Sequence, residues 1–418
     1  MLASAPVLIA QNEESPVPDS GPLGLSEIIQ IAISNSAGVV EAEGDIQIAK
    51  AEKAAASDWR DPELRIGPAW EDSHTSTEAR NRDFGARIRF TIPNIWEVRA
   101  RVNKALAEVS LAEYQKEISE RATIIAIRKQ YGRVQFINRE LLVRNELVAN
   151  ARNEMNRLKE AADVLELGDN VFSKASERYE DEQEDREDLI IDLDRERSQL
   201  AQLAGLDDAG RVDITSVPVT PTIEISQASI STLTAVAKRY RPEVGQLVHD
   251  IRVEEGDLQE AEAAKKPWFS FVEIGHGIGW KDGSHVNDSL EMRIGITLPF
   301  FSIFKNKQSK VHEARIRKYE NMMKLAERKI ETDVKTAIDL VGNSRSNLDQ
   351  YRQKSVSDLA EQKRRLPEGD PASAHAIRKT TLNKEIRRLK KEEAYFESII
   401  NLEEVVGADI ERAFTTEN

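Results

Sequence analysis

The sequence predicts a mainly α-helical, internally duplicated chain with a membrane β-barrel portion: long coiled-coil helices for an α-helical barrel, and four β-strands per protomer. Three observations carry this. First, Leu290, Met292, Ile294, Ile296, Leu298 and Phe300 share one parity, with Glu291, Arg293, Gly295 and Thr297 on the other. Phe84, Ala86, Ile88, Phe90 and Ile92 alternate in the same way with Asp83, Gly85, Arg87, Arg89 and Thr91. Strand side chains point alternately to opposite faces, so each segment has one apolar and one polar face. That is the pattern of a membrane barrel strand, and equally of a half-buried strand in a soluble sheet. Second, each segment ends in Thr-Ile-Pro or Thr-Leu-Pro and is followed by a very long helical pattern. Third, the arrangement recurs: Leu25 maps to Ile230 and Pro62 to Pro267, the same offset of 205 (230 − 25 and 267 − 62).

Composition narrows the class. The 418 residues have a net charge of −14, 32% charged residues and 6% aromatics. This suits long amphipathic helices better than several globular cores, and the acidic balance argues against nucleic acid. There are no cysteines, which excludes disulfides, thiolate metal sites and catalytic thiols. No run of about 18 apolar residues offers a transmembrane helix, so a membrane-spanning form requires a closed barrel.

In chain order, residues 1–24 form a leader, with Leu2 to Ala10 resembling the tail of a secretory signal. The first repeat covers 25–206. Leu25 to Ser57 is helical, with Ile28, Ile31, Ala32, Val39 and Ile46 on its apolar side and Ser26 as its expected cap. Glu63 to Glu71 alternates, with Leu64, Ile66 and Trp70 on one face; Ser73 to Arg82 is a polar loop, and Phe84 to Ile92 returns. Glu97 to Leu158 is one long helix, broken at Gly168-Asp169-Asn170. Phe172 opens another, with Ala175, Leu189, Leu193, Leu200 and Leu203 on its seam, and Gly205 stops it. A linker spans 207–228. The second repeat covers 229–407: a short helix, a strand at Trp268–Trp280 with imperfect parity suggesting a bulge, a polar loop at Lys281–Asp288, and the strand Leu290–Phe300. Next come a long helix seamed by Ile316, Tyr319, Met323, Ala326, Ile330, Val334, Ala337 and Val341, a turn at Pro367-Glu368-Gly369, and a helix carrying Leu382, Ile386, Leu389, Phe396 and Ile400. Residues 408–418 form a tail.

Four strands cannot close a membrane barrel, whose smallest form has eight. Two copies supply eight strands and three supply twelve, and a conducting interior favours the larger number. The lipid-facing residues are then Phe84, Ile88, Phe90, Met292, Ile294 and Ile296.

The order helix, Pro62, strand pair, Ile92-Pro93, long helix, repeated through Arg241-Pro242-Glu243, Pro267 and Leu298-Pro299, resembles the TolC-type outer-membrane efflux protein family over roughly Leu25 to Gly407. The resemblance implies a homotrimer with a twelve-stranded outer-membrane barrel and a large periplasmic helical barrel. It also implies docking to a periplasmic adaptor and an inner-membrane pump, and a passive exit duct rather than an enzyme. Family members often carry an Arg-Leu-x-x-Gly turn at each periplasmic hairpin tip, where the adaptor docks. Arg365-Leu366-Pro367-Glu368-Gly369 fits; in the first hairpin an insertion separates Arg157-Leu158 from Leu167-Gly168. Arg365, Leu366, Gly369 and Gly168 are the docking residues this implies. The neighbouring Asp169, Glu368 and Asp370 read either as a cation-attracting entrance or as ordinary caps.

The remaining candidates are weaker. Glu177 to Glu196 holds eleven acidic residues against three arginines, which fits a solvated helix face or an acidic conduit. The polar parity of the strands (Glu63, Arg65, Arg87, Arg89, Glu291, Arg293) mixes signs, as cross-strand pairing does. Trp59, Trp70, Trp268 and Trp280 at the strand ends suit an interfacial belt or plain packing. His74, His249, His276, His285, His312 and His375 show no ligand spacing, and no catalytic motif, metal site or cofactor site is expected. The alternative to the channel is a soluble periplasmic coiled-coil adaptor or scaffold.

Overall fold

The computed structural model describes residues 21, 23–69, 82–165, 169–212, 227–281, 284–299, 307–365 and 371–408. Its elements are α1 (Leu25–Asn35), α2 (Ala37–Ala55), β1 (Glu63–Ala69), β2 (Arg82–Thr91), α3 (Ile95–Leu165), α4 (Asp169–Ala204), α5 (Gln227–Tyr240), α6 (Pro242–Ala263), β3 (Trp268–Lys281), β4 (Ser284–Thr297), α7 (Lys307–Arg365) and α8 (Pro371–Val406). The chain divides into two compact units: residues 1–36, 123–224 and 340–400, and residues 37–122, 225–339 and 401–418.

In the first unit, α3 contributes Ile127, Tyr131 and Val134 to a core with Leu193, Leu200 and Ala204 of α4 and Ile28 and Ala32 of α1. Leu23 and Val212 close this core through a short bridge. The next turns of α3 meet α8: Phe136 packs on Phe396 and Ile400, and Leu147 on Leu382 and Ile386. Gly132 is required there, because a Cβ on it would sit 2.2 Å from the Phe396 ring. Ion pairs flank the apolar seams. Arg144 binds Glu182 of α4 at 3.0 Å, Lys379 reaches the same carboxylate at 3.2 Å, and Arg139 and Arg352 converge on Glu392.

In the second unit, Ile46 and Ala49 of α2 pack on Val109 and Ala112 of α3. On α6, Gly245 and Gly256 face α3 so closely that a Cβ would meet Tyr114 and Lys104. The expected α7 seam is buried at Ile330, Val334 and Ala337 in this unit, and at Val341 in the first.

Several expectations change. The helix expected over Leu25–Ser57 breaks at Ser36, whose extended backbone (φ −66°, ψ 121°) separates α1 from α2. Its N-cap is Gly24, not Ser26: the Glu27 carboxylate reaches back to accept from the Gly24 amide at 2.9 Å. Leu203 is 48% exposed and Ala204 takes the core position instead, because the seam drifts by one residue at the helix end. The polar loop expected over Lys281–Asp288 is instead largely strand, with Lys281 paired to Ser284. Hydrogen-bonded pairing needs no apolar side chains, so the ladder outruns the alternating pattern that signals it. Gly205 does stop α4, at φ +66°.

Candidate functional site

The strands form one antiparallel sheet in the order β1-β2-β3-β4. Its register lines residues up in rows across all four strands. On one face, Leu64, Ile88, Ile274 and Met292 form a row, flanked by Phe90, Val272 and Ile294. This face is bare: Leu290 is 81% exposed, Met292 66%, Ile296 57% and Ile294 56%. Such a surface is rare on a water-soluble chain and marks an interaction surface. Phe84, Ile88 and Phe90 are exposed on it.

The other face carries charge in pairs. One row runs Glu63, Arg89, Glu273, Arg293, alternating in sign strand by strand, and the next runs Arg65, Arg87, Gly275, Glu291. Arg89 donates to Glu273 at 2.9 Å, and Arg87 to Glu291 at 3.3 Å. Glu273 is buried, and the Arg89 guanidinium also stacks 4.2 Å from the Phe271 ring. Cross-strand pairing therefore accounts for the mixed signs. Beyond these rows, Gly67, Gly85, Gly277 and Ser289 align, so the polar face changes from long charged side chains to almost none.

The bulge expected in the third strand has a specific effect. The register shifts between Phe269 and Phe271. Phe271 faces Gly295 on the polar side, where a Cβ on that glycine would sit 2.1 Å from the ring. Phe269 pairs with Ile296 and joins the apolar face at 58% exposure. One extra residue turns a side chain from one face to the other, which is why parity in this strand reads as imperfect.

At the end where helices join the sheet, buried Asn94 sets the geometry. Its side-chain oxygen accepts from the Trp96 amide at 3.1 Å, capping α3, and its amide donates to the Ala263 carbonyl at the end of α6 at 3.0 Å. This ties the exit from β2 to the approach to β3. It also brings together Trp96 and Lys266, whose ammonium lies 4.4 Å from the indole centroid. Neither residue is signalled in the sequence as a pair, since 170 positions separate them (266 − 96).

A second cluster escapes sequence spacing. Donor atoms of Glu254, Asp257 and His312 lie within 4.8 Å of one another. His312 Nδ1 is 2.8 Å from Glu254, Arg315 is 3.2 Å from the same carboxylate, and Lys104 is 2.8 Å from Asp257. Both carboxylates already have basic partners, so the cluster staples α3, α6 and α7 by charge. The hydrogen bond to Asp257 holds the Lys104 ammonium above its ordinary pKa. Within the acidic run of α4, Glu182 and Glu196 are buried and paired with Arg144 and Arg133, while most of the others are exposed.

Of the tip residues, Arg365 ends α7 and Asp169 begins α4. Gly168, Leu366, Glu368, Gly369 and Asp370 lie outside the described residues, as do Trp70 and Phe300. No described helix is long and apolar enough to cross a membrane.

A mostly helical chain with a four-stranded antiparallel sheet, repeated in halves, has the fold of the TolC-type outer-membrane channel proteins. The similar solved structures include three such channels. CusC, whose transmembrane channel formation was described, shares 14% identity at a TM-score of 0.67, covering 94% of this chain and 96% of its own. The outer-membrane channel OprN shares 15% at 0.66, covering 92% and 90%. The open MtrE outer-membrane channel of Neisseria gonorrhoeae shares 14% at 0.64, covering 92% and 89%. No protein-family model matches the sequence, nor does any curated protein at a significant level.

Proposed function

We propose that the chain is the outer-membrane channel subunit of a tripartite efflux or export system, with its helices in the periplasm. Three copies place their sheets edge to edge in a twelve-stranded barrel, because β1 and β4 are the open edges of the sheet. The barrel turns the apolar face to lipid and the charge-paired face to a water-filled duct. The chain does no chemistry; an inner-membrane pump supplies the energy and a periplasmic adaptor docks at the helix tips. Arg365, Leu366, Gly369 and Gly168 are the proposed docking contacts, and Asp169, Glu368 and Asp370 the entrance that attracts cations. The carrying observation is the sheet with one face mainly apolar and exposed, interrupted by His276 and Asp288 toward its far end, and the other charged and paired. A soluble adaptor or scaffold has no use for such a face.

The test fractionates cells, weighs the detergent extract by native mass spectrometry, and compares two kinds of substitution. Ile294→Arg and Ile88→Arg put charge into hydrocarbon and cost about 2–4 kcal/mol each near the bilayer midplane, so assembled trimer falls sharply. Arg293→Ser on the polar face is mild. A water-soluble monomer in washed periplasm supports the adaptor or scaffold reading instead, and equal losses from both kinds of substitution refute the facing assignment.

A further inference from the structure

The apolar face of the sheet does not fade out where the helices begin; it ends in an aromatic and basic rim. Phe269, Ile296 and Leu298 are more than half exposed, and beside them Ile95 is 69% and Trp96 49% exposed. Lys266 lies over the Trp96 indole. Arg99 stands three residues after Trp96 on the same helix, which places it on the same side of α3. Lys266 and Arg99 are both exposed, and among the described residues neither has a carboxylate partner.

The rim has a defined cause. Asn94 is buried and binds both the start of α3 and the end of α6, so Trp96 and Lys266 are held together by the backbone rather than by each other. Neighbouring Lys265 turns away to Ser309, 2.7 Å distant. Indoles favour the boundary between hydrocarbon and water, with the ring in the apolar layer and the N–H toward the headgroups. A cation stacked on that ring is held at headgroup depth, and basic side chains at this depth attract anionic lipid.

We propose that Trp96, Lys266 and Arg99 form a binding site for the headgroup of an anionic phospholipid, at the edge of the apolar face nearest the helices. The acyl chains lie along Phe269, Ile296 and Leu298, and the phosphate sits between the two cations. The inference rests on the reading above, that this face meets lipid, and it adds the class of lipid and its place.

The full-length chain in detergent is titrated with phosphatidylglycerol and, separately, phosphatidylcholine, and bound lipid is counted by native mass spectrometry. Both lipids carry a phosphate, but only the first has net negative charge. Wild type is expected to retain phosphatidylglycerol preferentially. K266Q with R99Q should lower that preference by about fivefold for each cation removed. K324Q with K354Q removes two exposed lysines from α7 and should change nothing. Equal retention of the two lipids by wild type overturns the proposal, and so does an undiminished preference in K266Q/R99Q. If the chain is a detergent-requiring oligomer without lipid preference, this inference alone fails. If it is a water-soluble monomer, the channel reading fails with it.

Discussion

The two repeats solve one structural problem with different chemistry. Each breaks a helix at the same offset position, Asn35-Ser36-Ala37 in the first and Tyr240-Arg241-Pro242 in the second. The backbone is nearly identical: φ −66° and ψ 121° at Ser36, φ −69° and ψ 132° at Arg241. Each break receives a glycine in the left-handed region, Gly205 at φ +66° or Gly407 at φ +70°. In the second repeat the break is covalent, since a residue before proline avoids the helical region, and it is clamped by charge. Arg121 donates to the carbonyls of Tyr240 and Gly407 at 3.1 and 3.2 Å, Tyr114 donates to that of Arg241 at 3.1 Å, and Arg241 binds Asp333 at 2.8 Å. In the first repeat no proline is present and the contacts are neutral. Asn35 donates to the Gly205 carbonyl at 3.2 Å, and Ser36 shares a hydrogen bond with Thr123 at 3.1 Å. What the duplication preserves is backbone geometry, with the side chains free to find another way of holding it.

The largest effect separating the junctions should come from the glycines. G205A and G407A both force a Cβ into a left-handed backbone and a crowded site, at a cost of about 2–4 kcal/mol each. The obstacles differ. At Gly205 the new Cβ would sit 2.7 Å from the Asn35 Cβ; at Gly407 it would sit 2.9 Å from the Tyr240 carbonyl oxygen, which is main chain. Adding N35G should therefore recover part of the loss in G205A, whereas no side-chain change at Tyr240 recovers G407A. Urea unfolding in detergent, followed by circular dichroism, reads both. Equal rescue at the two sites would mean that the glycine conformation alone sets the cost.

A smaller difference should appear in the polar contacts. R241Q removes the partner of a partly buried Asp333 and should cost about 1–3 kcal/mol, less at high salt. N35A removes a neutral hydrogen bond and should cost about 0.5–1.5 kcal/mol at any salt concentration. The same salt dependence for both would contradict the division into charged and neutral junctions.

The repeat, the strand faces and the long seams were legible in the sequence because each repeats a short period along one element. The sheet rows were half legible. Arg87, Arg89, Glu291 and Arg293 declare their parity, but Glu273 and Phe271 lie beyond a bulge that inverts it. The break at Ser36 was hidden because serine is compatible with a helix; the single short helix expected in the second repeat also breaks, at Arg241, where Pro242 biases the residue before it away from helical backbone. Trp96 with Lys266, and Glu254 with His312, are brought together by helix packing across long sequence separations. No local period encodes such pairs.

The smallest expected effect is a difference in pH response between two half-buried titratable groups, one in each unit. His249 faces Tyr114 and Ser110, with Arg252, Asp250 and Glu117 nearby. Burial, then Arg252, lowers its pKa from 6.5. The folded state therefore binds fewer protons than the unfolded one between the lowered value and 6.5. The stability this group contributes is full above pH 6.5 and is lost as pH falls through the folded pKa. Glu393 is the opposite case. Burial, then the like charge of Glu397, raises its pKa from 4.5, with Glu140 acting in the same direction and Arg133 and Lys390 opposing. Its folded form binds more protons above 4.5, so its contribution is greatest at acid pH and declines as pH rises through the raised value. Both groups are partly exposed and solvent screens them, which keeps each effect under about 1 kcal/mol. Hydrogen exchange compared at pH 7.5 and 5.5, after correction for the intrinsic rate, should show protection falling around Tyr114 and His249 and holding or rising around Glu393. H249N should flatten the first response and E393Q the second. If protection in the two regions moves together in wild type, the titration is global and neither group controls its own surroundings.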